Sequence, residues 1–257
     1  MAAATHNPLS LDGKTILVTG ASSGIGRSTA VLLSQLGARV VLAGRRADAL
    51  EETRAGMENP ELHLAESFDL GEVDEVAAWL KGVRERAGAP LDGLVHSAGI
   101  SNTMSIRVAN RKNIDQMMIP NVYAALALLR GISTKGVAAD PSSVVLLSSV
   151  ASISGSPGLV TYAGTKGALN SIVRSAAKEL GPKRIRVNAI APGYVATPMY
   201  DEMKATTPGE VIARLEEQHF LGIPRPEEVA VMAAYLLSDA ARVVTGTTLV
   251  IDGGYSA

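Results

Sequence analysis

The chain has 257 residues, 47% of them apolar, and a formal net charge of −1. That length suits one large α/β domain with a layered core, and the near-neutral balance gives no electrostatic footing on nucleic acid or an anionic membrane. There is no cysteine, which excludes disulfides, thiolate catalysis and cysteine-ligated metal.

The histidines His6, His63, His96 and His219 are scattered and never take the H-E-x-x-H spacing, so no metal site is expected. No run reaches the roughly 18 apolar residues of a membrane helix. The opening MAAATHNPLS lacks the basic start and apolar segment of a signal peptide. Residues 1–10 read as a flexible tail, and the cytoplasm is the expected compartment.

Strand-like and helix-like segments then alternate along the chain. Residues 14–19 (KTILVT) form an apolar run ending in glycine, followed by a helix over 25–36. Residues 39–43 (RVVLA) are a second strand and 47–57 a helix. A weaker strand over 62–68 precedes a helix over 73–87. Residues 93–96 (GLVH) are a fourth strand, 114–130 a long helix and 143–147 (SVVLL) a fifth strand. A long helix over 162–180, a sixth strand over 184–190, a helix over 227–237 and a seventh strand over 248–251 complete the series. Strands that are apolar along their whole length are buried on both faces. Their alternation with helices predicts right-handed βαβ units. The expected fold is a single doubly wound, Rossmann-type α/β domain over 1–257. Its sheet is mostly parallel and seven-stranded, with helices on both faces. Residues 199–226 break the rhythm after the sixth strand, where an insertion overlies the ligand crevice, and read as a substrate lid.

The turn Gly20-Ala21-Ser22-Ser23-Gly24-Ile25-Gly26 joins the first strand to the first helix. Glycines there let the backbone turn tightly and approach a pyrophosphate, and the helix start presents free N–H groups to it. The second strand ends in Gly44-Arg45-Arg46, with no carboxylate until Asp48. A carboxylate at that end holds a ribose 2′-hydroxyl, whereas arginine pairs with a 2′-phosphate. The expected cofactor is therefore NADP(H), held through Arg45 and Arg46.

Tyr162 and Lys166 stand four residues apart on one helix face. A neighbouring ammonium favours the phenolate and is expected to lower the phenol's pKa towards the range of a general acid. Ser149 lies at the end of the fifth strand, on the ligand side, where its hydroxyl suits a substrate carbonyl oxygen. The adjacent Ser148 must point the other way, because successive strand side chains alternate.

These markers, in order, resemble the short-chain dehydrogenase/reductase family: LDGK, TGASSGIG, GRR, Asp69, x-S-A-G, Asn121, Ser149, YAGTK, RVNAIAPGYVATP and VTGTTLVIDGG. The likeness runs from about Leu11 to Gly254. It implies Tyr162 as general acid/base, Lys166 as the group that lowers its pKa and holds the nicotinamide ribose, and Ser149 as the carbonyl donor. It implies Asn121 as the holder of a relay water, and Asp69 and Leu70 as flanking the adenine. Pro192, Gly193, Val195 and Thr197 would bind the carboxamide. Ser97, Ala98 and Gly99 would let the cofactor approach closely.

Two departures stand out. The family's usual N-N-A-G reads His96-Ser97-Ala98-Gly99, and His96 is expected to be structural or cofactor-side rather than catalytic. Pro120 precedes Asn121 within a helix, where a missing N–H predicts a kink. The expected activity is NADPH-dependent, reversible reduction of a ketone or 3-oxoacyl group. An NAD-linked alcohol, sugar or hydroxysteroid-type dehydrogenase is the alternative, and a non-catalytic NADP-binding regulator a third reading. Tyr200, Met203, His219, Phe220 and Leu221 suggest a partly apolar substrate pocket. Arg130, Lys183 and Arg184 are weighed as a surface for an acyl carrier protein and read as ordinary solvated charges. The resemblance also implies a homo-oligomer, dimer or tetramer.

Overall fold

The computed structural model describes residues 7–257; the first six residues of the expected tail lie outside them. Within the tail, Ser10 N donates to the Asn7 carbonyl at 3.0 Å, forming a turn. Strands β1 (Thr15–Thr19), β2 (Arg39–Gly44), β3 (Leu64–Ser67), β4 (Leu91–His96), β5 (Ala138–Leu147), β6 (Ile185–Pro192) and β7 (Thr248–Ile251) pair in the order β3-β2-β1-β4-β5-β6-β7. Every pairing is parallel. The order reverses between β1 and β4, which opens the crevice where ligands bind at the carboxyl edge.

Helices cover both faces. Along each strand, alternate side chains enter opposite cores. Leu17, Val41, Leu94, Val144 and Leu146 pack with Leu80, Leu128, Leu169 and Val173, from α3 (Val76–Ala87), α5 (Ala124–Ile132) and α6 (Val160–Leu180). Ile16, Val18, Val40, Val95 and Val145 pack with Leu33, Leu50, Val229 and Leu237, from α1 (Gly24–Gln35), α2 (Ala47–Ala55) and α9 (Pro226–Leu237). This explains why the strands read as continuous apolar runs.

The helix expected over 114–130 is three segments. Between α4 (Arg111–Met118) and α5, residues Ile119–Tyr123 form a π-helical turn, closed by the Ala124 N–H on the Ile119 carbonyl. Pro120 has no N–H for the regular ladder, and the widened turn absorbs the defect. The predicted kink is thus a π turn carrying Asn121. The stretch over 199–226 is helical in its first two thirds, and residues 218–225 lie outside helix and strand. It folds as α7 (Pro198–Thr206), capped by Thr197, and α8 (Gly209–Glu217).

Candidate active site

Gly20 has φ +68° and Gly24 φ +52°, a conformation that favours glycine. A Cβ on Gly20 would lie 2.7 Å from the Ala98 amide nitrogen, and one on Gly26 would strike the Gly20 carbonyl. The turn is therefore pressed against the β4 end. The first turn of α1 carries no acidic residue, and Ser23 makes no side-chain cap. The free amides and the bare turn fit a pyrophosphate. Across the crevice, the Thr197 side chain stands 3.3 Å from where a Gly24 Cβ would be. This brings the loop after β6, with Pro192, Gly193 and Val195, beside the glycine turn. Arg45 and Arg46 are exposed at the end of β2 and form no ion pair among the described residues, while Glu52 is taken by Arg27 at 3.1 Å. Two guanidinium groups that make no ion pair among the described residues fit a 2′-phosphate. Asp69 is exposed, with Oδ1 accepting from the Gly71 N–H at 2.8 Å, and Leu70 lies half-buried beside it.

The second half of the site assembles on β5 and α6. Ser148 is buried and donates to the Lys166 carbonyl at 3.0 Å. Strand alternation then turns Ser149 to the other side, towards the phenol of Tyr162 in the first turn of α6. Its Oγ also accepts from the Ala151 N–H at 3.2 Å. Lys166 is 6% exposed, and its Nζ donates to the Leu147 carbonyl at 2.7 Å while standing 5.8 Å from the centre of the Tyr162 ring. Burial lowers the Lys166 pKa to about 8. Burial pushes the Tyr162 phenol up from its ordinary value, and hydrogen bonding with Ser149 pulls against that. The expected lowering by Lys166 is therefore corrected. Desolvation of the phenol is the larger effect, and the ammonium is anchored on a strand carbonyl rather than on the phenol oxygen.

Asn121 is fully buried and clamps the loop after β4. Its Oδ1 accepts from Ile100 N–H at 2.9 Å, and its Nδ2 donates to the Ile100 carbonyl and to Thr165 Oγ1, each at 3.0 Å. Thr165 in turn donates to the Tyr162 carbonyl at 2.7 Å. A Cβ on Gly99 would meet Asn121 Oδ1 at 2.8 Å and Lys166 Nζ at 3.5 Å. Ser97, Ala98 and Gly99 thus form the floor between the glycine turn and the catalytic cluster.

Tyr194 and Tyr255, which the sequence did not single out, complete the wall together with His219. Tyr194, just after the Pro192-Gly193 turn, interacts with Ser156 and lies near Tyr162. Its ring meets Tyr255 edge-on at 5.7 Å and His219 at 5.8 Å. Tyr255 stacks on His219 at 4.9 Å. Asp252 holds the segment bearing Tyr255 by accepting from Gly254 N–H at 3.0 Å, and from Ser256 N–H at 2.9 Å and Oγ at 2.6 Å. The expected apolar lining is corrected in part. Phe220 and Leu221 are 75% and 90% exposed, and Tyr200 is buried with its hydroxyl donating to Glu216 at 3.0 Å. Among the described residues no acidic, histidine or cysteine cluster suits a metal, and no helix is long and apolar enough to cross a membrane.

A glycine-lined cradle facing a Ser–Tyr–Lys cluster, at the carboxyl edge of a doubly wound sheet, defines a dinucleotide-dependent oxidoreductase. The family model described as Enoyl-(Acyl carrier protein) reductase matches residues 20–256. Gluconate 5-dehydrogenase of Gluconobacter oxydans is 32% identical over 253 residues, 95% of each chain. The 3-oxoacyl-acyl-carrier-protein reductase FabG of Thermotoga maritima is 31% identical over 248 residues, 95% of this chain and 98% of that one. A solved structure from Agrobacterium tumefaciens, described as a 2-deoxy-d-gluconate 3-dehydrogenase with bound NADP, is 30% identical with a TM-score of 0.85, covering 97% of this chain and 99% of that one. The chain belongs to the short-chain dehydrogenase/reductase family and is an oxidoreductase of CH–OH and C=O groups.

Proposed function

We propose that the protein is an NADP(H)-dependent reductase that reversibly converts a ketone or 3-oxoacyl group to a secondary alcohol, with Tyr162 as general acid/base. The observation that carries this reading is the convergence of Ser149, Tyr162 and Lys166 opposite the Gly20–Gly26 cradle. When bound, the cofactor supplies or accepts a hydride. Ser149 holds the substrate oxygen and Tyr162 gives it a proton as negative charge develops. Lys166, its pKa lowered to about 8 by burial, stands 5.8 Å from the centre of the Tyr162 ring on the proton's route to solvent and would hold the nicotinamide ribose hydroxyls. Asn121 fixes the loop after β4 and the start of α6 around that route, and the helical pair over 198–217 serves as the substrate lid. Gly20, Ser22, Ser23, Gly24, Ile25 and Gly26 hold the pyrophosphate, Arg45 and Arg46 the 2′-phosphate, and Asp69 and Leu70 the adenine. Ser97, Ala98, Gly99, Pro192, Gly193, Val195 and Thr197 border the nicotinamide.

The NADP-bound neighbour and the paired arginines both support NADP(H) over NAD(H). The exposed apolar residues Leu126 on α5 and Val250 on β7 suit a homodimer or homotetramer, and the cytoplasm is the compartment that fits. The test is NADPH oxidation with a panel of ketones, keto-sugar acids and 3-oxoacyl thioesters, using Tyr162→Phe as control and Arg45→Ala to probe the cofactor. Turnover should vanish in the first variant, and NADPH preference should fall at least about tenfold in the second. Full activity in Tyr162→Phe refutes the mechanism, and undiminished NADPH preference in Arg45→Ala refutes the cofactor assignment.

A further inference from the structure

Asn170 stands where a helix packed on a sheet ordinarily carries an apolar side chain. It follows Lys166 by one turn of α6 and Tyr162 by two, and it is 9% exposed between the fully buried Leu169 and Val173. Asparagine is a poor residue for a helix interior, and burying its amide is unfavourable unless both ends are bonded. Both ends are bonded here. Nδ2 donates to Ser152 Oγ at 2.8 Å, and Oδ1 accepts from Thr248 Oγ1 of β7 at 3.3 Å. The neighbours settle which way the amide faces. Ser152 Oγ lies 2.5 Å from the Ser149 carbonyl, which can only accept, so the one hydrogen of that hydroxyl is spent there. Ser148 Oγ, 3.3 Å from Ser152 Oγ, spends its own hydrogen on the Lys166 carbonyl. Ser152 therefore offers α6 only lone pairs, and the end of the amide that meets it is the NH2 group.

The thread ends on the residue whose hydroxyl serves the substrate. Ser149, with φ −166° and ψ 154°, opens a single 3-10 turn over Val150–Ser152. Its carbonyl receives the Ser152 N–H at 2.9 Å as well as the Ser152 hydroxyl. Packing holds the exit of that turn only weakly, since Ile153 is 54% exposed. A carbonyl pinned by two donors keeps the Ser149 backbone still, and that backbone sets where the Cβ–Oγ bond can point. We propose that Asn170 is a positioning residue for Ser149: acting through Ser152, it locks the turn that bears the carbonyl donor to the helix that bears Tyr162 and Lys166. The inference rests on Ser149 holding the substrate oxygen, and it names what fixes that hydroxyl relative to the phenol. Two groups that must meet one carbonyl oxygen tolerate little relative movement, and a misplacement on the order of 1 Å can cost about a hundredfold in rate. No proton moves along the thread. Its action is geometric, and Thr248 steadies the amide from the β7 side.

The experiment cuts the thread without touching the reacting atoms. Ser152→Ala deletes one oxygen, Asn170→Leu deletes the amide, and Ser152→Thr keeps the hydroxyl. NADPH oxidation with the ketone of the panel that turns over fastest gives kcat and both KM values, and fluorescence titration gives NADPH affinity. Ser152→Ala and Asn170→Leu should each lower kcat about tenfold with unchanged NADPH affinity, and Ser152→Thr should keep the native kcat. In a Ser149→Ala background neither substitution should lower kcat further, because the group it positions is gone. Native kcat in Ser152→Ala overturns the proposal. So does a second tenfold loss in the Ser149→Ala background, or an equal loss of NADPH affinity, either of which marks a general packing defect. If Asn170→Leu does not fold, Ser152→Ala decides alone, since Ser152 is half-buried and loses a single atom. A crippled Ser149→Ala beside a fully active Ser152→Ala sinks this inference alone, whereas a fully active Ser149→Ala sinks the mechanism beneath it.

Discussion

Acid should destabilise this fold in part through His96. Burial, with the nearby Lys166 ammonium, lowers its pKa from 6.5 to about 3 in the folded protein, while the unfolded chain keeps the ordinary value. The folded pKa is the lower one, so the unfolded state binds more protons below about pH 6.5. The stability held by the neutral ring is whole above that pH and drains away as pH falls towards about 3. Each pH unit inside the window is worth about 1.4 kcal/mol, so a drop to about pH 5 removes about 2 kcal/mol. His63 adds to the loss in the same direction, because burial lowers its pKa too. Urea unfolding of the wild type and His96→Asn, at one protein concentration and at about pH 7.5 and pH 5, separates the two. Asparagine does not titrate and is the residue the family pattern places there. The variant should be less stable near neutrality yet lose about 2 kcal/mol less on acidification, with His63 common to both. Parallel pH responses would refute the reasoning, because the ring would then titrate alike in both states.

Adjacent serines should behave oppositely. Ser149→Ala should lower kcat at least about a hundredfold with little change in melting. Ser148→Ala should leave kcat within a few-fold and cost about 1 kcal/mol of stability through its lost bond to the Lys166 carbonyl; a reversed pattern would mean that the strand face is misassigned. Gly20→Ala should abolish NADPH binding, because its Cβ would press on the Ala98 backbone and its φ is positive; a variant that binds NADPH normally would show that the turn is not the cradle. Tyr194→Phe should lower kcat/KM about tenfold for ketones bearing a second hydroxyl or carbonyl oxygen and leave simple ketones unchanged, and equal loss on both would assign Tyr194 a packing role instead.

Local rules made much of this molecule legible in its sequence. Apolar runs broken by glycine marked the strands, and Gly20, Gly24 and Gly26 marked the cradle because a missing Cβ is itself a residue identity. Period-two alternation separated Ser148 from Ser149 once the strand end was placed. Pro120 betrayed a helix defect but not its form, since a kink and a π turn leave the same signature. Tyr194 and Tyr255 stayed hidden because they meet each other and His219 only when the loop after β6, the end of α8 and the segment after β7 fold together. The direction of the Tyr162 shift was misjudged for a related reason. Spacing shows that a lysine is near, but not that it is tied to the Leu147 carbonyl while the phenol loses its water.

The seam between the glycine turn and the β4 end bears on folding as well as binding. Ala98 and Thr19 are separated by 79 residues of chain, yet their hydrogen bond closes the middle of the sheet. Such long loops are slow to close, so a half-assembled chain, with β1 and β2 paired but β4 undocked, presents only one wall of the cradle. Nucleotide can hold the finished sheet but not its precursors, and by mass action it draws the population towards complete assembly. A melting curve taken with and without NADPH is then a measure of whether both halves of the sheet have met.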